Sequence, residues 1–405
     1  MPRSDGFFIE PVDALWTRTG RPFTAGESED GGGVFPPTPW TWQGMIRTRV
    51  LVAALGPALT DGTPAGEVAR LVGPPDRLPD GWRIRGPLPA RAVHVTREGR
   101  RERVVEPWVP WPAFLSAARP DGAAPVRARR QEIDDLAGSS SPWASPEPEA
   151  LPPGETFAES GWISARNLLW ALLGRGRWDP AGATPPLQKR AQGGSDLPPF
   201  VDEERRAGVA IDDGTRRALD HMLYTSTRHR FAPDTGLWGA LEGAPASAVD
   251  ALGEGPASLG RRQGQVTLGA LPAIDGWSEL IDGTHLRGAV GRHLRVVLLT
   301  PAEVPPRGSW PFPVPRGAEV RGAIARAGRP IGGFEQGKGG RPTRTTWAAG
   351  STWWVELTRE IADVDLARAA RDLLLPLHDH ERFGFALRAV APFDPLTGTP
   401  ELPHA

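Results

Sequence analysis

The sequence predicts an α+β protein of two domains, and three observations carry that prediction. Apolar runs of strand length alternate with helical repeats in both halves, without the regular strand–helix rhythm of a doubly wound sheet. A chain of 405 residues is long enough for two hydrophobic cores. Glycine (49) and proline (45) together approach a quarter of the chain, so much of it must be loop.

The elements follow in order. Residues 7–18 read as a strand around Phe7-Phe8-Ile9. After a Gly-rich break, Phe35-Pro36-Pro37-Thr38-Pro39 makes a stiff entry into a helix over 39–55. Pro39 suits the first helical position, where its missing N–H costs nothing, and Thr38 suits the N-cap. Trp42, Ile46, Val50 and Ala53 would share one face of that helix. Segments 82–86 and 91–96 look like a short hairpin. From Arg119 to Gly154 the composition shifts to Pro, Ala, Ser and Glu. The run Gly138-Ser139-Ser140-Ser141-Pro142 is too polar to pack, which predicts a mobile loop over 119–154.

A helix is predicted over 162–173, with Ser164 near its start, and a second Pro/Gly loop over 174–199. A helical stretch is expected from Asp212 to Leu219. Strands follow near 264–268, 294–300 and 320–326, then a hairpin-like pair around 343–357. A helix over 364–375 precedes a last strand at 384–390. The domain boundary is placed between 236 and 237, giving domains 1–236 and 237–405.

Composition excludes several classes. No run of 18 apolar residues exists, so no membrane-spanning helix is expected. No charged-then-apolar leader pattern opens the chain, and the absence of cysteine removes disulfides and thiolate metal sites. A cytoplasmic location is therefore expected. The net charge of −1 argues against non-specific coating of nucleic acid but leaves room for a local basic groove. The basic residues are almost all arginine, with lysine only at Lys189 and Lys338. Arginine suits bidentate phosphate contacts and stacking on bases, although a codon bias toward Arg, Ala, Gly and Pro explains the same usage.

Four blocks of the chain are more specific. The first runs Ile9-Glu10-Pro11-Val12-Asp13, then Thr17-Arg18-Thr19-Gly20-Arg21-Pro22-Phe23, then Phe35-Pro36-Pro37-Thr38-Pro39 into Trp40-Thr41-Trp42-Gln43-Gly44-Met45-Ile46-Arg47. The second is Glu203-Glu204-Arg205-Arg206-Ala207-Gly208-Val209-Ala210-Ile211-Asp212, followed by Leu223-Tyr224. The third is the loop Leu259-Gly260-Arg261-Arg262-Gln263-Gly264-Gln265. The fourth is Gly340-Arg341-Pro342 through Ala349-Gly350-Ser351 to Glu356-Leu357. Together they resemble the RAMP subunit of the type III-B (Cmr) CRISPR effector complex, the subunit that holds the 5′ handle of the guide RNA. The resemblance extends from 7 to 391 and leaves the loops 119–154 and 174–199 uncovered. This chain departs from the pattern at Ala348, where the family often has proline, and in a loop at 259–265 with fewer glycines.

The resemblance implies two ferredoxin-like (RRM-like) domains carrying long Pro/Gly-rich insertions. It also implies a non-catalytic, RNA-binding role: anchoring the crRNA 5′ handle and bridging the large polymerase-like signalling subunit to the backbone RAMP subunits, in antiviral defence.

The candidate RNA-binding residues fall in three places. Arg18 and Arg21 flank a turn, while Pro37, Thr38, Thr41 and Arg47 surround a helix N-terminus, a natural phosphate site. Gly260, Arg261, Arg262 and Gln263 form a basic loop of little bulk. Lys338, Arg341 and Arg344 lead to Trp347, a cation–aromatic combination suited to single-stranded RNA. Each also has a plain structural reading as a turn, a helix stop signal or a core residue.

No catalytic residue, metal or cofactor is expected. Gly332–Gly339 resembles a P-loop but has Gly339 where a hydroxyl must hold Mg²⁺. His378-Asp379-His380-Glu381 lies at a helix end, where a histidine is favoured on dipole grounds alone. Arg382–Leu387 reads as core strand. Two alternatives stand beside the main reading. One is a RAMP endonuclease processing guide RNA, with His221, His229 and His285 as its candidate bases. The other is a protein-only scaffold.

Overall fold

The computed structural model describes residues 6–17, 32–59, 63–74, 77–118, 127–130, 155–157, 161–184, 197–212, 214–260, 264–287, 291–304, 310–335, 339–358, 366–376 and 386–392. They belong to two units, each made of separate stretches of chain. Unit one gathers Met1–His94, Pro199–Pro272 and Pro330–Arg344; unit two gathers Val95–Pro198, Ala273–Arg329 and Thr345–Ala405. Elements are numbered below in chain order over both units.

Unit one is built on strands β1 (Gly6–Pro11), β2 (Arg83–Arg97), β10 (Thr235–Glu242), β11 (Glu254–Leu259) and β12 (Gly264–Gly269). They lie in the order β11-β12-β1-β10-β2, with every neighbour antiparallel. The expected boundary at 236–237 falls inside β10, which pairs with both β1 and β2. Hydrophobic pattern marks each strand but not the sheet it joins, so a cut in sequence does not follow the grouping in space.

Helix α1 (Pro39–Leu55) starts as its cap predicts. The Oγ1 of Thr38 accepts the N–H of Thr41 at 3.3 Å, and Pro39 takes the first turn. Trp42, Ile46 and Val50 are buried, and Trp42 stacks on Phe7 of β1 at 5.3 Å. Ala53, expected on the same face, is exposed, because the last turn runs clear of the buried stripe that ends at Val50. Helices α2 (Ala65–Val72) and α4 (Ala246–Asp250) complete the helical part of this unit.

The hairpin expected within 82–96 is instead a continuous strand, β2. Its Gly86-Pro87 kink lies opposite a register shift between Trp238 and Ala240, so a bulge absorbs the turn-forming residues. The helical stretch expected over 212–219 is a turn between β8 (Val201–Ile211) and β9 (Ala218–Phe231). The Oδ1 of Asp212 accepts the Thr215 N–H at 2.6 Å and its hydroxyl at 2.7 Å, an Asx turn that competes with a helix.

Unit two contains β3 (Arg100–Pro110), β4 (Leu115–Ala118), β5 (Arg127–Arg130), β6 (Glu155–Phe157), β7 (Trp162–Ser164), α3 (Ala165–Leu173) and α5 (Trp277–Asp282). It continues through β13 (His293–Leu298), β14 (Ala302–Glu303) and β15 (Ala318–Ile324). β16 (Ile331–Glu335) and β17 (Gly339–Arg344) form a hairpin grouped with unit one. β18 (Thr346–Trp347), β19 (Thr352–Leu357), α6 (Leu366–Leu374) and β20 (Arg388–Pro392) return to unit two.

The main sheet of unit two has the order β15-β19-β13-β20, again antiparallel throughout. Leu366, Ala370 and Leu373 of α6 share a core with Leu294, Val296, Trp353 and Val355. The hairpin-like pair expected around 343–357 does not pair with itself: β17 pairs with β16, and β19 pairs with β13 and β15. The helix expected over 162–173 begins later, at Ala165, after β7. Ser164 is its N-cap, accepting the Asn167 N–H.

Both expected loops carry structure. Segment 119–154 includes β5, which pairs with β4. In segment 174–199, Trp178 packs edge-on against Trp111 and Trp170 at 5.9 and 5.4 Å. The Asn167 side chain also donates to the Asp179 carbonyl and accepts the Asp179 N–H, each at 2.8 Å. An aromatic anchor thus packs residues 174–184 of a segment whose Pro/Gly content reads as free. No helix among the described residues is long and apolar enough to cross a membrane.

Candidate nucleic-acid interface

Three of the predicted blocks converge in unit one. Past β1 the chain turns, and Leu15 pairs with His229 of β9 through both backbone hydrogen bonds, at 2.8 and 2.9 Å. Thr17 then clamps the returning end of the Gly-rich segment. Its carbonyl accepts the Val34 N–H at 2.7 Å, and its hydroxyl donates to the Val34 carbonyl at 2.5 Å. The segment between them, which carries Arg18 and Arg21, lies outside the described residues. Its two ends are therefore held side by side.

The β11–β12 turn meets the same place. Gly260 has φ +83°, and a Cβ added there would stand 2.7 Å from the carbonyl oxygen of Trp16. Only glycine satisfies both the left-handed backbone and that approach. Leu259 and Gly264 pair across the turn, while Arg261, Arg262 and Gln263 lie outside the described residues. Thr17 and Gly260, the described residues that precede 18–31 and 261–263, thus lie next to one another.

The aromatic floor next to Thr17 and Gly260, made of Trp16 and its neighbours, was not legible as a site in the sequence. Trp16 stacks on Tyr224 of β9 at 6.5 Å, and the Arg228 guanidinium lies 5.6 Å from the Trp16 ring centroid. Strand alternation puts Tyr224 and Arg228 on one face, which is the signal that could have joined them. Phe35 packs on His229 and Phe231 at 5.1 and 5.9 Å. A charged network flanks the floor: Asp13 accepts from Arg206 at 3.1 Å and Arg230 at 2.9 Å, and Glu204 bonds both arginines. The Arg206 hydrogen bond, aided by the Ala14 backbone and Arg230, holds the Asp13 carboxyl at a pKa of about 2.

Pro37 and Thr38 are buried, and Thr38 and Thr41 bond each other's hydroxyls at 3.1 Å as part of the cap. Arg47 is turned to its own unit. Its guanidinium donates to the carbonyls of Gly73 and, at 2.7 Å, of Pro74, just past the end of α2. Arg49 likewise donates to the Glu254 carbonyl at 2.7 Å.

In the third group of candidate residues, Lys338 lies outside the described residues, Arg341 lies in β17, and Arg344 ends β17 in an exposed position. Trp347, expected as a stacking face, packs against the unit-two core around Leu294 and Trp353. The P-loop lookalike at 332–339 spans β16 and β17, two strands with no helix to face a phosphate. The stretch 378–381 lies outside the described residues, and no metal-holding cluster occurs among those described. His229 is buried under Phe35, and burial lowers the pKa of His285, whose Nδ1 lies 2.9 Å from the Glu279 carbonyl oxygen.

A family model described as CRISPR-associated protein (Cas_Cmr3) matches residues 7–391. The chain belongs to that family. No curated protein matches it. Two solved structures have similar chains. One is the cryo-EM structure of the type III-B Cmr-β bound to cognate target RNA and AMPPnP, state 1, at 13% identity, TM-score 0.43, covering 97% of this chain and 98% of that one. The other is the type III-B Cmr-β bound to cognate target RNA, at 14% identity, TM-score 0.43, covering 98% and 99%.

In this Cas_Cmr3 chain the string Ala349-Gly350-Ser351 is a junction inside unit two. Gly350 has φ +89°, and a Cβ there would stand 2.4 Å from the Trp111 carbonyl oxygen. Its own carbonyl accepts the Ala113 N–H at 2.7 Å. The Ser351 hydroxyl accepts the Arg326 N–H at 3.0 Å and donates to the Ala348 carbonyl at 2.7 Å. The residue types of this string follow from backbone packing.

Proposed function

We propose that this Cas_Cmr3 protein is a non-catalytic RNA-binding subunit of a type III-B CRISPR effector complex. It anchors the 5′ handle of the crRNA and bridges the large polymerase-like subunit to the backbone RAMP subunits. Target sequence is read by guide pairing, and this chain holds the handle through backbone, shape and a few bases.

The observation that carries the reading is the approach of Gly260 to Trp16 and Thr17, the residues that precede Arg261 and Arg18 in sequence, in a chain whose family match runs from 7 to 391. The arginines that follow in sequence, Arg18, Arg21, Arg261 and Arg262, suit a single strand, whose phosphates need cations.

Each unit is read as ferredoxin-like. In unit one β1, β2, β10 and β12 act as the first to fourth strands, with α1 after the first and α4 after the third. Across the sheet they run fourth, first, third, second. In unit two β13, β15, β19 and β20 have the same order, with α6 between the last two.

The test is photo-crosslinking of a reconstituted complex carrying guide RNA labelled in the handle. Adducts in 18–31 and 260–263 are the expected result. Adducts confined to other subunits would leave this chain a protein-only scaffold.

A further inference from the structure

The turn between β2 and β3 belongs to none of the blocks discussed above, yet it carries four arginines in seven residues. It reads Arg97-Glu98-Gly99-Arg100-Arg101-Glu102-Arg103. Glu98 at φ +49° and Gly99 at φ +77° make the tight two-residue turn of a hairpin.

The turn is held in place from one side. Ala273 bridges to Val105 of β3, and the Ile274 N–H donates to the Val105 carbonyl at 2.9 Å. That docking presents Asp275 to Arg97, which forks onto both of its carboxylate oxygens and reaches Glu102 at 3.2 Å. Two of the nearby carboxylates are thereby engaged on one arginine. The side chains of Arg100 and Arg101 are exposed and have no hydrogen-bond or ion-pair partner among the described residues.

We propose that this turn is a second, sequence-independent RNA contact, in which Arg100 and Arg101 bind phosphates of the backbone. The proposal rests on the RNA-binding reading above but concerns a different element, in unit two. A guanidinium pairs with phosphate through parallel N–H bonds, and no base need be read. An acidic protein partner fits less well. Protein interfaces are anchored by buried aromatic or aliphatic side chains, and none of the exposed large apolar residues lies between 94 and 103.

The experiment uses the full-length protein and two fluorescent single-stranded RNAs, one of repeat sequence and one scrambled, titrated over a range of salt. Each lost phosphate contact lowers the slope of log K against log salt by about 0.7. The double variant Arg100→Gln, Arg101→Gln should therefore lose about 1.4 units of slope, equally on both RNAs. The Arg100→Lys, Arg101→Lys variant should keep the wild-type slope, which separates charge from fold.

An unchanged slope in the glutamine variant, with wild type binding both RNAs, overturns this contact and leaves the handle reading standing. A loss confined to the repeat RNA overturns its sequence independence. Loss of partner-subunit capture without RNA, with RNA affinity intact, assigns the turn to an acidic protein surface and overturns the proposal. Failure of wild type to bind either RNA overturns both readings.

Discussion

Gly260 backs directly onto the carbonyl oxygen of Trp16, so the β11–β12 turn meets the stretch Leu15–Thr17 within unit one. The contact leaves 2.7 Å for a side-chain carbon that would need more than 3 Å, at a φ of +83°. Gly260→Ala is expected to cost about 1–3 kcal/mol in stability through strain at that backbone. It should also reduce handle retention in the reconstituted complex. Thermal denaturation and an RNA pull-down on the same preparation check both effects.

Gly350 and Ser351 allow a purely structural test. Gly350→Ala places a carbon 2.4 Å from the Trp111 carbonyl oxygen at φ +89° and should destabilise the protein by about 3 kcal/mol or more. Ser351→Ala leaves the Arg326 N–H without its hydroxyl acceptor, while the Ala348 carbonyl keeps the Ser351 N–H at 3.2 Å, and should cost about 1–3 kcal/mol. Denaturant unfolding of the two variants is the measurement. A neutral Ser351→Ala would mean that the Arg326 N–H finds another partner.

Arg47 separates a structural role from an RNA role. Its hydrogen bonds to the Gly73 and Pro74 carbonyls hold the end of α2. Arg47→Ala is expected to lower stability by about 1.5–3 kcal/mol, the scale of charge-assisted hydrogen bonds. The salt slope of RNA binding should stay unchanged. A normal melting temperature with a flattened slope would assign the guanidinium to phosphate instead.

The Asp13 network predicts an acid-sensitive contribution. Its pKa is lowered from 3.8 to about 2, chiefly by Arg206, so the folded state favours the carboxylate. The stability this provides is fully present above pH 3.8, fades as pH falls, and is gone below about 2. Wild type should therefore exceed Asp13→Asn by a constant margin at neutral pH, with the margin closing between those values. Solvent exposure of the pair keeps that margin small. A margin independent of pH down to 2 would rule the linkage out.

Purified protein incubated with repeat RNA, with and without Mg²⁺ or Mn²⁺, is expected to leave the RNA intact. Cleavage needs a positioned base or metal at the scissile phosphate. Specific products that disappear in His221→Ala, His229→Ala or His285→Ala would establish the endonuclease alternative.

The sequence by itself determined the α+β class, the start of α1 at Thr38-Pro39, the cap of α3 at Ser164 and membership of the Cas_Cmr3 family. These are signals carried within a few residues: a cap hydroxyl, a proline at the first turn, an apolar period. Only the tertiary structure decided which strands share a sheet, that Trp178 packs its loop, and that Trp347 packs into a core. It alone set Arg47 on the end of α2 and Gly260 against Trp16. What a side chain touches depends on partners far away in sequence, and local pattern carries no record of them. A basic or aromatic residue therefore looks the same in a sequence whether it faces RNA, a backbone carbonyl or the core.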